Sequence, residues 1–101
     1  MKQRMPKLEW EKNTNYSTGT VEYTLQIDGI DKDLRHYFYR GVITEHYYVD
    51  VKMYAARYKM FSDGQDFYEP PEFKEMQYAK LTDAKNFINK AFKDKWAREH
   101  Q

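Results

Sequence analysis

A chain of 101 residues is the length of one small domain, which buries roughly 60 to 65 % of the surface its unfolded form exposes. Hydrophobic residues at 41 % and aromatic residues at 18 % supply a core and exclude the disordered class despite 33 % charge. Seventeen basic against sixteen acidic residues exclude a strongly acidic nucleic-acid mimic and a strongly basic general nucleic-acid binder, and the lack of cysteine excludes disulfides, thiolate metal sites and thiol nucleophiles.

Residues 1–101 are read as a single domain. Its opening MKQRMPKLEW lacks the apolar run of a signal peptide, and no stretch approaches the roughly 18 apolar residues of a membrane span. A soluble, cytoplasmic protein is expected. Residues 7–11 alternate around Leu8 and Trp10 and predict a first strand, with 13–19, NTNYSTG, as a polar turn region. Residues 20–28 give the clearest alternation, Val21, Tyr23, Leu25 and Ile27 on one face against Glu22, Thr24 and Gln26 on the other.

Next comes HYFYRGVITEHYYVDVKMY, residues 36–54, which holds six aromatic rings. Strands over 36–43 and 46–60 are expected, joined by a hairpin turn at Thr44 and Glu45. In that register Phe38 faces Val51, Arg40 faces Val49 and Val42 faces Tyr47, so Phe38, Val42, Tyr47, Val49, Val51 and Met53 share the core side. The other side then carries Tyr37, Tyr39, Tyr48, Asp50, Lys52 and Tyr54. Beyond Tyr54 the apolar phase shifts to Ala56, Tyr58 and Met60, which predicts a bulge near Ala55 and Ala56.

Residues 62–72, SDGQDFYEPPE, read as the longest loop, and 73–79 as a last strand at the sheet edge. A helix over 83–98 follows, with Thr82 as N-cap, Asp83 in the first turn, and Ala84, Phe87, Ile88, Ala91, Phe92 and Trp96 at helical spacing. The expected fold is α+β: an antiparallel meander of four to five strands with one C-terminal helix packed on one face.

Catalytic signatures do not emerge. His36, His46 and His100 have no metal-ligand spacing. The acids Asp63, Asp66, Glu69, Glu72 and Glu75 lack a calcium-loop register. Ser17 and Ser62 sit in turn-like sequence outside a nucleophile elbow, and the four glycines are isolated rather than grouped into a phosphate loop. A non-enzyme without metal or cofactor is expected.

Two binding surfaces are in view. A flat, wet face bearing Tyr37, Tyr39, Tyr48 and Tyr54 among Asp50 and Lys52, and bordered by Glu22 and Arg35, suits a protein partner, because rigid rings give contact area at low entropic cost. Cross-strand ring pairing that merely stabilises the sheet explains the same residues. The second is Lys90, Lys93, Lys95 and Arg98 near the helix end, which could meet phosphates, although complementing the helix dipole also accounts for them. A homodimer through the tyrosine face or a sheet edge is a third reading.

The early tryptophan, the tyrosine-rich strands and the helix entrance Leu81, Thr82, Asp83, Ala84, Lys85 resemble small accessory proteins of bacteriophages and mobile elements. That resemblance implies no catalytic residues. It implies a class whose members include inhibitors of host enzymes and defence complexes, anti-CRISPR proteins among them.

Overall fold

The computed structural model describes residues 7–27, 39–60 and 72–99. Among the described residues lie five strands, β1 (Leu8–Asn15), β2 (Thr20–Ile27), β3 (Tyr39–Tyr48), β4 (Val51–Met60) and β5 (Glu72–Tyr78), followed by helix α1 (Leu81–Glu99). The strands form one antiparallel sheet in the order β1-β2-β3-β4-β5, with α1 across one face. This is the expected α+β meander with its C-terminal helix.

The alternation in β2 places Val21, Tyr23, Leu25 and Ile27 toward the helix, as expected, and β1 adds Leu8 and Trp10 opposite Ile27 and Leu25. The strand continues to Asn15, past the expected end at 11. Asn13, Thr14 and Asn15 pair with Glu22, Val21 and Thr20 because the chain reverses only over 16–19, where Gly19 takes φ 74° and its amide donates to the Asn15 carbonyl at 2.7 Å.

The central hairpin differs most from expectation. It turns at Val49 and Asp50, not at Thr44 and Glu45, and its ten pairs run from Tyr39↔Met60 to Tyr48↔Val51. Arg40 therefore faces Lys59, Val42 faces Arg57, and Tyr47 faces Lys52; Phe38 lies outside the described residues. A turn at Thr44 would have left the C-terminal half of β4 without β3. The longer ladder instead sets Ile43 against Ala56 and Gly41 against Tyr58.

The bulge expected near Ala55 and Ala56 is absent, since β4 pairs continuously with both neighbours there. Even-numbered β4 residues from Lys52 to Met60 point to the helix side throughout. Val51 and Met53, assigned to the core from the sequence, belong to the open face, as does Val42, and Val49 lies in the turn. Two apolar residues on the wet side produced the apparent change of phase. β5 occupies a sheet edge as expected.

α1 starts at Leu81, and the Ala84 amide donates to the Lys80 carbonyl at 3.2 Å, so Thr82 lies inside the first turn instead of capping it. Its expected stripe faces the sheet: Ala84, Ile88 and Phe92 are buried, flanked by Phe87, Ala91 and Trp96. Ile88 and Phe92, with Ile43 below, are the largest fully buried side chains, each contributing about 1.5–3 kcal/mol through removal from water. Helix and sheet meet closely at Gly41, where a Cβ would stand 2.6 Å from Ile88 Cγ2. Glycine is needed there for space.

Polar ties hold the first hairpin to this core. The Trp10 indole N–H donates to Asn89 Oδ1 at 3.2 Å, and Tyr23 Oη donates to Glu45 Oε1 at 3.0 Å. Lys85 Nζ lies 5.6 Å from the centroid of the Tyr23 ring. These contacts supplement a short β2–β3 ladder that runs only from Glu22↔Thr44 to Thr24↔Val42.

Candidate functional site

The β3–β4 ribbon outruns its neighbours. β5 ends at Tyr78, opposite Tyr54, and the β2 ladder on β3 ends at Thr44. The segment from Glu45 to Met53 therefore extends past the rest of the sheet toward the Val49–Asp50 turn.

That tip is apolar and exposed. Tyr47 is 69 % exposed, Tyr48 72 %, Val49 79 % and Val51 56 %. Neighbouring strand residues alternate between faces, so Tyr47 and Lys52 stand on the helix side, and Tyr48 and Val51 on the open side. The Lys52 ammonium lies 6.0 Å from the Tyr47 ring centroid and 3.8 Å from Glu45 Oε2. Asp50 adds a carboxylate at the turn.

The turn itself is strained. Val49 has φ 47° and Asp50 φ 66°, the arrangement of a two-residue turn that matches sheet twist but strongly prefers Asn-Gly or Asp-Gly. Asp tolerates left-handed backbone; a β-branched Val there is an outlier costing about 1–3 kcal/mol. The exposed Val49 side chain recovers none of this by burial.

The residues expected to form one tyrosine face are divided among three places. Tyr48 stands on the open face, Asp50 lies in the turn, and Lys52 and Tyr54 are on the helix side. Tyr54 sits between Glu45 and Tyr78 and packs against the core, so it offers no outward anchor. Tyr37 and Arg35 lie outside the described residues, and for Tyr39 the backbone alone is described, paired with Met60. Conversely, Tyr47 and Val51, assigned to the core from the sequence, are exposed. The five-residue displacement of the turn causes both errors.

The helix-end cations are likewise separated. Lys95 is 4 % exposed and belongs to the interior, whereas Lys90, Lys93 and Arg98 are exposed. Lys90 and Arg98 line an open groove of about 400 Å³ between helix and β5, together with the acids Glu72 and Asp94. A continuous basic patch does not result.

The open sheet face is mainly polar. Arg57 Nη2 donates to Thr44 Oγ1 at 3.0 Å, while its buried Nε has no hydrogen-bond partner and stands 3.9 Å from Glu75 Oε1, close enough for charge attraction alone. His46 Nε2–H donates to Gln77 Oε1 at 2.6 Å, spanning β4 where Ala55 leaves room. Burial, then the hydrogen bond to and the charge of Glu45, push the Tyr23 phenol up to about 12. Burial also raises Tyr58, partly opposed by Lys74.

Among the described residues, no group of three or more His, Cys, Asp or Glu side chains is placed to hold a metal ion, and no helix is long and apolar enough to cross a membrane. No protein-family model matches the chain, and no curated protein or solved structure matches it.

Proposed function

We propose that this chain is a non-catalytic binding protein that inserts the tip of its β3–β4 hairpin into an apolar recess on a larger protein. The observation carrying this reading is the strained Val49–Asp50 turn, which displays Tyr47, Tyr48, Val49 and Val51 to solvent. Tyrosines on a short ribbon bring contact area with few rotatable bonds, while Asp50 and Lys52 supply both charges at the rim. The resemblance of the Leu81–Lys85 helix entrance to that of phage accessory proteins supports a host enzyme or defence complex as the target.

The test is affinity capture from host lysate, after nuclease treatment, with three baits: the native chain, a Tyr47→Ser/Tyr48→Ser variant, and a Met76→Ser variant altering an exposed apolar residue on the β5 edge. The native chain and Met76→Ser should retain the same protein, and the double variant should lose it. Equal retention by all three baits, with folding verified by circular dichroism, would remove the tip from the reading.

A further inference from the structure

On the open face of the sheet, β1 and β2 place the acids Glu9, Glu11 and Glu22, β3 and β4 the cations Arg40, Arg57 and Lys59, and β5 the acid Glu75 opposite Arg57. Oppositely charged cross-strand pairs would stabilise such a face, yet Arg40 stands directly opposite Lys59, a destabilising like-charge arrangement. Both cations are exposed, and neither pairs with an acid among the described residues. Their Cβ atoms, as directly opposed residues, are separated by about 5 Å, so the two long side chains can converge on one phosphate.

A ring completes the arrangement. Phe73 of β5 lies directly opposite Lys59 on the same face and is 53 % exposed. Arg57 occupies the next row, tied to Thr44 and facing Glu75. Arg40, Lys59 and Phe73 thus form a row across three strands on the face opposite the helix, at the far end of the ribbon from the Val49–Asp50 turn.

We infer that this row is a binding site for single-stranded nucleic acid, with a backbone phosphate between Arg40 and Lys59 and a base stacked on Phe73. An anion there converts the unfavourable cation pair into a chelate. The adjacent aromatic ring favours a ligand carrying a flat base over a carboxylate or free phosphate. The site is small, in keeping with the chain's net charge of +1, and engages about one phosphate. It is independent of the hairpin tip.

The experiment measures fluorescence anisotropy of a labelled oligo(dT) at low salt with the native chain, Lys59→Glu, Phe73→Ser and Lys93→Glu, folding being followed by thermal melts. The native chain should bind with a log–log salt slope of about −0.7. Lys59→Glu should weaken binding at least about tenfold while raising Tm, because Glu opposite Arg40 restores an attractive pair. Phe73→Ser should weaken binding about tenfold, and Lys93→Glu, on the exposed helix surface, less than about twofold. Absence of binding by the native chain overturns the inference, as does full affinity in Lys59→Glu, or equal loss in Lys93→Glu. Displacement of the oligonucleotide by equimolar inorganic phosphate would also overturn it, by assigning the cation pair to a free anion.

Discussion

The two ends of the β3–β4 ribbon present opposite solutions to covering a strand pair. At Gly41 the ribbon gives up a side chain so that Ile88 can approach, and the surrounding Leu25, Ile43, Tyr58 and Phe92 are buried. At Val49 the same ribbon keeps a bulky side chain in a backbone conformation that disfavours it, and leaves four apolar residues in water. One end is optimised for packing within the chain. The other lacks such packing, so its composition is better explained by contact with something outside it.

If the Gly41 end carries the stability, damage there should be severe. Phe92→Ala removes a fully buried ring and should cost about 3–5 kcal/mol, measured by urea unfolding. Gly41→Ala should cost about 1–3 kcal/mol, because the added Cβ forces Ile88 aside. Tyr47→Ser, at the other end, should fall within about 0.5 kcal/mol of native. Comparable losses at both ends would erase the distinction.

A smaller effect sharpens it from the middle of the ribbon, where Glu45 accepts from Tyr23. The folded phenol titrates near about 12 against an ordinary 10.0, so the folded state holds its proton more tightly than the unfolded state. The Tyr23 contribution is complete below pH 10 and is lost as pH rises from 10 through 12. Tyr23→Phe should therefore cost about 0.5–1.5 kcal/mol at neutral pH and flatten part of the alkaline decline in stability, with Tyr58 accounting for a further part. An unchanged alkaline profile in Tyr23→Phe would show that the Tyr23 phenol does not contribute to the alkaline decline.

Much of the fold was legible because it rests on local periodicity. The alternation of β2 and the 84–88–92 spacing of α1 identify their buried faces without knowledge of any partner strand. The hairpin register was not legible for the converse reason. Residues 36–54 carry rings at both odd and even positions, so the pattern does not distinguish core from solvent, and the actual turn uses a β-branched residue that turn chemistry argues against. The candidate site inherited that error: Tyr48, Asp50 and Lys52 remain near the tip, whereas Tyr54 passes to the core side and Tyr47 and Val51 come outward. Lys95 was misplaced because its spacing from Ile88 and Phe92 sets it on the buried stripe, one turn beyond Phe92, despite its charge.

The finest contrast between the two ends is the sign of an improving mutation. At Gly41 no substitution should help, since space is already exhausted. At the tip, Val49→Asn with Asp50→Gly supplies residues suited to both left-handed positions and should raise stability by about 1 kcal/mol, seen as a higher Tm. The same change deletes one exposed apolar side chain and one carboxylate from the proposed contact surface, so partner retention should fall as stability rises. A strained turn kept for binding predicts that opposition. Were the double variant more stable and equally retentive, Val49 would be an unfavourable residue with no binding role, and the contact would reduce to Tyr47, Tyr48 and Val51.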